Sequence, residues 1–187
     1  RRQRQMCIRD SPTPDPEPTP DKPEADVEVK GDAPTIKNDA DTVKEIESSV
    51  KLTDEEKEAV KAGADIKFKI VVKDEVKAGD KELIDTKISS LVNNGVVGKV
   101  FDITIEKQVG NNAAVKVEFN SEITLKVQVP EELINKDDSK TRTYKVIRVH
   151  DGEVTVIDKE NCVFDEETGL ITFKTDKFST YAVSYTH

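Results

Sequence analysis

Apolar and polar residues alternate along several stretches of the chain after residue 42. In IKFKIVVK, one face holds Ile66, Phe68, Ile70 and Val72, and lysines occupy positions between them. A period of two residues predicts β-strands that bury one face and expose the other. Four further stretches show the same alternation, and their apolar faces hold Phe101, Ile103 and Ile105; Val115, Val117 and Phe119; Ile123, Leu125, Val127 and Val129; and Tyr181, Val183 and Tyr185.

Two longer stretches predict β-hairpins because a turn signal interrupts their alternation. TRTYKVIRVHDGEVTVID contains Asp151-Gly152, and both residue types tolerate the positive φ that a two-residue hairpin turn requires. In NCVFDEETGLITFK, the sequence Glu167-Thr168-Gly169 separates two apolar runs. These turns add two pairs of antiparallel strands to the prediction.

Two stretches in the first half of the chain have helical spacing instead. TDEEKEAVKAG begins with Thr53 and places Glu56 three residues later, which is the pattern of a capping box, and Gly63 provides a stop signal. GDKELIDTKISSLVNNG repeats apolar residues at intervals of three and four, among them Ile84 and Ile88. Two short helices are therefore predicted ahead of most of the strands.

The number and spacing of these elements indicate a fold class. About eight short strands, at intervals of roughly ten residues, favour an antiparallel β-sandwich of immunoglobulin-like type. We predict that residues 43–187 form this mainly β, sandwich-like module and that it includes the two short helices. No convincing internal repeat of about 20–50 residues is visible.

Proline dominates the segment before this module. Seven of the eight prolines lie at or before Pro34, and PTPDPEPTPDKP places them at nearly every second position. Proline at this density prevents helix and central strand and favours an extended, polyproline-like chain. We predict a Pro/Thr/acidic linker over residues 11–42, in which residues 25–42 form a loose lead-in. Its role is either that of a spacer between modules or simple disorder.

The first ten residues, RRQRQMCIRD, share no pattern with the rest of the chain. The codons CGT CGG CAG CGT CAG ATG TGT ATA AGA GAC encode them without a gap, and this string resembles the transposase adapter used to prepare sequencing libraries. We therefore expect residues 1–10 to be a non-native, adapter-derived segment and the chain to be a fragment of a metagenomic gene. The alternative is a natural basic N-terminus.

The charge balance argues against several classes of partner. The chain has 29 lysines and arginines against 38 aspartates and glutamates, and its net charge is -9. A nucleic-acid-binding protein needs a basic surface, and so does a protein that docks on anionic lipid. The acidic balance therefore argues against binding of nucleic acid or anionic lipid. No run of about 18 apolar residues is present, so the sequence predicts no membrane insertion either.

The cysteine content restricts redox and metal chemistry. The two cysteines are Cys7 and Cys162, and Cys7 lies in the adapter-like segment. Without Cys7, no internal disulfide and no zinc site built from cysteine pairs can form. We expect Cys162 to be a small buried residue on a strand, and a reactive thiol is the alternative.

Residues suited to enzyme catalysis are few, and we predict a protein that is not an enzyme. The histidines are His150, beside a hairpin turn, and His187, and we expect His150 to be a solvated turn residue. Neighbouring acids such as Glu166-Glu167 could serve glycoside hydrolysis, but adjacency carries little weight in so acidic a chain. We assign no catalytic, cofactor-binding or metal-binding residue and expect no cofactor.

Three other kinds of chemistry stay open. NKDDS, residues 135–139, and DEETG, residues 165–169, are acidic loops that could supply oxygen ligands to calcium, although neither has EF-hand spacing. Glycan binding would need an exposed aromatic surface; the chain has no tryptophan, and Tyr144 is the clearest candidate because its neighbours are polar. An internal Lys–Asn isopeptide bond would need a buried lysine, an asparagine and an acid in contact.

Five stretches occur in an order that suggests a known kind of module. They are LTDEEKEAVKAGADIKFKIVVKD, VGKVFDITIEKQVG, ITLKVQVPEEL, SKTRTYKVIRVHDGEVTVID and GLITFKTDKFSTYAVSYT, and they cover roughly Leu52 to Tyr185. This region resembles a β-sandwich-like module found near the C-termini of large cell-surface proteins of Gram-positive gut bacteria of the Firmicutes type. The resemblance implies a secreted or wall-attached chain and an extracellular, cell-surface or cell-wall location. It implies no catalytic or ligand-binding residues.

These observations predict a non-catalytic extracellular module that acts as a spacer, stalk or presentation domain of a larger bacterial cell-surface protein. Its expected partners are the neighbouring modules of the same parent chain. The alternatives are an adhesion module that binds host or dietary glycan or protein, and an accessory domain of a secreted hydrolase. A cluster of exposed Tyr or Phe side chains would favour the binding module, whereas an unbroken charged surface would favour the spacer.

Overall fold

The computed structural model describes residues 25–137, 139–157 and 159–186. Within these ranges the protein is mainly β, and it also contains three α-helices. The strands are β1 (Ala25–Lys30), β2 (Ile66–Lys73), β3 (Val96–Val109), β4 (Val115–Lys116), β5 (Ile123–Gln128), β6 (Thr143–His150), β7 (Glu153–Val156), β8 (Cys162–Asp165), β9 (Leu170–Thr175) and β10 (Thr180–Thr186), and the helices are α1 (Ala40–Ser49), α2 (Asp54–Lys61) and α3 (Ala78–Leu91). The adapter-like residues 1–10 and residues 11–24 of the predicted linker lie outside the described residues.

The strands form two sheets, of which the larger is mixed. Its order is β1-β2-β3-β10-β6-β7, and β4 pairs with β3 beside this path. β1 and β2 are parallel, and the other neighbours in this sheet are antiparallel. The smaller sheet is antiparallel and has the order β5-β9-β8. The predicted mainly β class is confirmed, whereas an entirely antiparallel arrangement is wrong because of the β1–β2 pair.

One apolar core contains residues from both sheets. Phe101 and Ile103 of β3 and Tyr181 of β10 belong to it, together with Leu125 of β5 and Phe173 of β9, and all five are completely buried. The rings of Phe173 and Tyr181, which come from different sheets, have centroids 5.4 Å apart. The apolar faces predicted for these strands therefore meet in a common interior.

A second, smaller core lies where helix α3 covers the other face of the larger sheet. Ile84 and Ile88 of α3 pack there with Ile147 and Val149 of β6 and Ala182 of β10. β6 consequently has buried apolar residues on both faces, since Tyr144 and Val146 belong to the core that the two sheets share, whereas Ile147 and Val149 belong to the core under α3.

Residues 25–42 belong to the folded unit, which corrects the loose lead-in predicted for them. β1 pairs with β2 along its whole length, from Ala25 opposite Phe68 to Lys30 opposite Lys73. Ile36 is buried and forms an isolated bridge with β5. The weak apolar pattern of this segment concealed it, because β1 is an edge strand with a single buried residue, Ala25.

Helix α1 is a helix that the sequence pattern did not predict. The described residues contain three α-helices, and only α2 and α3 were expected. Asp39 caps it, since the Oδ1 atom of Asp39 accepts a hydrogen bond of 2.9 Å from the backbone N–H of Thr42. Val43 and Ile46 lie on its buried face and join the core that the two sheets share. No helix in the described part of the chain is long and apolar enough to cross a membrane.

The local turn and cap signals are confirmed. Asp151 and Gly152 adopt φ values of 49° and 78° in the β6–β7 turn. At the start of α2, the hydroxyl of Thr53 accepts the Glu56 N–H at 3.2 Å, and the Glu56 carboxylate accepts the Thr53 N–H at 2.7 Å. Gly63, after α2, has a φ of 95°. These short-range patterns were sufficient to locate both features.

The strand predicted over AAVKVEF is much shorter than expected. β4 comprises only Val115 and Lys116, and Val115 is exposed. Pairing continues irregularly, since the N–H of Val117 donates to the Ile105 carbonyl at 3.0 Å and Phe119 bridges to Val50. The segment therefore crosses from β3 toward the end of α1 instead of following β3 as a regular strand.

Candidate functional site

A cleft beside β3 and the end of β6 is the strongest candidate for a ligand site. The cavity has a volume of about 330 Å³ and lies between the turn that joins β9 to β10 and the segment that follows β4. Its lining mixes aromatic, basic and acidic side chains, namely Thr104, Ile105, Lys116, Val117, Glu118, Phe119, His150, Asp176, Lys177 and Phe178.

Two phenylalanine rings form the apolar part of this cleft. Phe119 and Phe178 are half-buried, their ring centroids are 5.0 Å apart, and their planes are inclined at 47°. Phe119 is held by its bridge to Val50, while Phe178 lies in the turn that leads into β10. The pair presents a small apolar surface beside charged groups, an arrangement that suits a ligand with one apolar and one polar side.

Fixed charges surround the two rings. The Nη1 atom of Arg148 donates to the Oδ1 atom of Asp176 at 3.3 Å and to the hydroxyl of Thr175 at 3.2 Å, so Asp176 is already engaged within the protein. Behind the cleft, burial raises the pKa of Asp102, and the hydroxyl of Thr104 donates to its carboxylate at 3.2 Å. Two polar groups that line the cleft, Thr104 and Asp176, are thus engaged by residues outside its lining.

The residues considered for acid–base catalysis do not form a catalytic pair. His150 is half-buried, with its Nε2 atom 3.3 Å from a carboxylate oxygen of Asp151, and its buried Nδ1 atom has no hydrogen-bond partner among the described residues. No hydroxyl or thiol in the described chain is hydrogen-bonded to His150, so the described contacts contain no activated nucleophile beside it. Glu166 and Glu167 are exposed in the β8–β9 turn, and His187 lies outside the described residues.

Cys162 is the buried strand residue that the sequence predicts. It lies at the start of β8 and belongs to the core shared by the two sheets. Burial raises the pKa of its thiol to about 11, and a backbone hydrogen bond near Val146 only partly opposes this shift. The thiol is therefore protonated at neutral pH and is a poor nucleophile.

The two acidic loops considered for calcium use their carboxylates to close their own turns. The Oδ1 atom of Asp137 accepts from the N–H of Ser139 at 3.0 Å and from its hydroxyl at 2.5 Å. The Oδ1 atom of Asp165 accepts from the N–H of Glu167 at 2.9 Å. Asp138 lies outside the described residues, and nowhere in the described ranges do three or more His, Cys, Asp or Glu side chains come together to hold a metal.

Tyr144, the aromatic residue considered for glycan contact, is buried, which corrects its assignment as an exposed candidate. Its hydroxyl donates to the Leu133 carbonyl at 2.6 Å, and its ring centroid is 4.1 Å from that of Phe164. Polar neighbours along β6 gave no sign that the segment around Leu133 covers this face. All nine Phe and Tyr residues of the chain are at least half-buried, and the exposed large apolar side chains among the described residues are valines.

The buried lysine that the isopeptide hypothesis requires is present, but its partners differ from those expected. The Nζ atom of Lys107 lies 2.7 Å from the Lys51 carbonyl and 2.5 Å from the Oε2 atom of Glu56, and no asparagine is among its contacts. Burial opposes ionisation of Glu56, but hydrogen bonds from Lys107 and Thr53 outweigh it, so the pKa of Glu56 is lowered. The arrangement is a buried ion pair, not the predicted Lys–Asn–acid contact. Its signal in the sequence was the position of Lys107 on the apolar face of β3.

Comparison with family models, with curated proteins and with solved structures found no match for this chain.

Proposed function

We propose that this protein is a non-catalytic extracellular module that acts as a spacer or presentation domain of a larger bacterial cell-surface protein. The observation that carries the proposal is where the described chain enters and leaves the larger sheet. Ala25 is level with Phe68 and thus with Lys107, whereas Tyr185 pairs with Val96 at the other end of β3. These two levels are separated by roughly 35 Å at ~3.3 Å per residue. Such a module adds length between the segments on either side of it.

The surface chemistry also supports a spacer over a binding module. No Phe or Tyr side chain is exposed, so the described surface offers no aromatic platform of the kind that glycan-binding sites use. Charged residues make up 36% of the chain and its net charge is -9, a balance that discourages association with other proteins. The proposed partners are accordingly the neighbouring modules of the parent chain.

The location and the finer fold class are part of the same proposal. The motifs between Leu52 and Tyr185 resemble a module of Gram-positive surface proteins, and the Pro/Thr/acidic residues 11–24 have the composition of a spacer. We propose a cell-surface or cell-wall location on that basis. The core shared by the two sheets supports a β-sandwich, while the immunoglobulin-like topology stays a prediction.

The spacer proposal is tested by asking whether the chain binds anything on its own. The full chain, labelled at its N-terminus, is applied to an array of bacterial, host and plant glycans. The expected result is no reproducible signal above that of the heat-unfolded chain. Reproducible binding of one glycan class, lost after unfolding, would overturn the plain spacer and favour an adhesion module.

The cleft beside β3 is the specific observation that favours the second candidate, a glycan- or protein-binding module. If the array gives a signal, Phe178→Ala removes half of the aromatic pair and should abolish it. Val163→Ala is the matched control, because Val163 is an exposed apolar residue on β8 and does not line the cleft. Equal binding by the two variants would place the binding site elsewhere.

A further inference from the structure

The first and last described strands of the larger sheet point in the same direction. β1 is parallel to β2, β2 is antiparallel to β3, and β3 is antiparallel to β10. β1 and β10 are therefore parallel to each other and are separated by two strands. The chain enters the sheet at the start of β1, at Ala25, and leaves it at the end of β10, at Thr186.

This arrangement determines how tension would act on the protein. Force applied through the two ends pulls Ala25 and Thr186 apart along the axes of their own strands. The hydrogen bonds between neighbouring strands run across that direction, perpendicular to it in the antiparallel pairs and slanted in the parallel β1–β2 pair. All bonds of a ladder then resist sliding together, whereas force applied across a ladder opens its bonds one at a time, beginning at one end.

We propose that β1 and β10 form a shear clamp that lets the folded module carry tension. This inference rests on the proposed spacer function, because only a module within a connected chain is pulled from both ends. Two observations carry the proposal. β1 and β10, the first and last described strands, are parallel, and Ala25 and Thr186 lie toward opposite ends of β3. It assigns a mechanical activity to the larger sheet itself, independent of any ligand.

The two ladders of the clamp are unequal, and the β1–β2 ladder is the weaker. β10 has neighbours on both sides, with six residue pairs to β3 and seven to β6. β1 has one neighbour and six residue pairs. Failure under load should therefore begin when β1 slides along β2.

Several side chains reinforce the β1–β2 ladder. Glu28 of β1 forms ion pairs with Lys69 on β2 and with Lys30 on its own strand. Beyond the last pair of the ladder, the N–H of Asp74 donates to the Lys30 carbonyl at 3.3 Å, and the N–H of Asp32 donates to the Asp74 carboxylate at 2.8 Å. The contacts of Asp74 hold the end of β1, at Lys30, against the end of β2. They must break before β1 can slide along β2.

Single-molecule force spectroscopy on the full chain tests the clamp by comparing two pulling directions. One chain carries handles at its N- and C-termini, which loads the ladders in shear. A second carries handles at the N-terminus and at Lys67→Cys, an exposed position on β2 near the partner of Ala25, which loads the β1–β2 ladder crosswise. Cys7→Ser is present in both chains, and Cys162 stays buried and unreactive.

The expected result is a rupture force roughly twofold or more lower in the crosswise direction, because forced unfolding follows the barrier along the pulled coordinate. Asp65→Cys, also exposed and just before β2, provides a second crosswise attachment should Lys67→Cys fail to fold. Equal rupture forces in the two directions would overturn the clamp. They would leave the spacer proposal intact, since that proposal fails only through specific binding on the array.

Discussion

Among single residues, the buried pair Lys107–Glu56 makes the sharpest prediction. Glu56→Gln keeps the capping box with Thr53, because glutamine also accepts the Thr53 N–H, but it leaves the buried Lys107 ammonium without its counter-charge. We expect a loss of about 2–3 kcal/mol in the free energy of unfolding. Urea denaturation followed by circular dichroism measures it.

The matched variant for this pair removes both charges. Lys107→Met combined with Glu56→Gln leaves no unpaired charge and keeps the capping box with Thr53, so its free energy of unfolding should lie within about 1 kcal/mol of the natural chain. If the double variant is as destabilising as Glu56→Gln alone, then the pair contributes directly to stability, and the cost does not come from an unpaired charge.

Asp39 predicts how stability depends on pH. The hydrogen bond from Lys126 lowers the pKa of Asp39 to about 2, against an opposing effect of burial, and the Thr42 contacts help to lower it. Because the pKa is lower in the folded state, the stabilisation is complete above about pH 4 and is lost as the pH falls from about 4 to 2. We expect this loss to be about 2 kcal/mol.

Thermal unfolding between pH 2 and pH 5 measures the contribution of Asp39. Asp39→Asn keeps an N-cap side chain but carries no charge, so its melting temperature should fall less steeply below pH 4. Asp41→Asn, an exposed acid in the first turn of the same helix, is the control. Identical acid profiles for the two variants would contradict the assignment to Asp39.

The sequence predicted buried positions better than buried contacts. Alternation correctly placed Phe101, Ile103 and Tyr181 in the core, because their periodicity is a property of each strand alone. It did not show that Lys107 would be buried with Glu56 or that Leu133 would cover Tyr144. Those contacts join residues far apart in the sequence, and only the packed fold brings them together.

At the scale of elements, helix α3 packs one of its sides against the larger sheet, on the sheet face that points away from the core shared by the two sheets. Ile84 is completely buried there, whereas the adjacent Leu83 is only half-buried. Ile84→Ala should lower the free energy of unfolding by about 3 kcal/mol, and Leu83→Ala by about 1 kcal/mol or less. Chemical denaturation of the two variants tests which face of the helix contacts the sheet, and equal losses would contradict the packing described.

Most elements with a strong local signal were predicted, and α1 is the exception. The capping box located α2, and Asp151-Gly152 located the β6–β7 turn, because both depend on neighbouring residues. α1 was missed although Asp39, Val43 and Ile46 have the right spacing for a cap and an apolar face. β1 gave almost no local signal, since its pairing with β2 supplies its structure.

For the whole molecule, the distance between the start of β1 and the end of β10 is directly measurable. Dyes on Asp26→Cys and Thr186→Cys, in a Cys7→Ser background, should report a separation of roughly 35 Å plus the dye linkers. Dyes on Asp26→Cys and Lys67→Cys should lie roughly 10 Å apart by the same spacing. Energy transfer in single molecules distinguishes the two pairs, and similar efficiencies for both would contradict the sheet order.

The arrangement of the whole sheet was the part least accessible from the sequence. Hairpins follow from local turns, but the parallel β1–β2 pair and the insertion of β10 between β3 and β6 involve partners distant along the chain. Many strand orders share the same alternation, so composition and periodicity do not choose among them. The candidate cleft depends on that order too, because β3, β6 and the turn before β10 each contribute to its lining.

The central position of β10 has a consequence for how the protein is made. β10 is the last of the described strands in chain order, yet it joins the β1-β2-β3 half of the larger sheet to the β6-β7 half. Until β10 has been synthesised, β3 and β6 each have an unpaired edge. Unpaired strand edges can form wrong pairings with other strands. The larger sheet is therefore completed only after β10 has been synthesised, and a chain cut before Thr180 would leave two half-sheets without the strand that joins them.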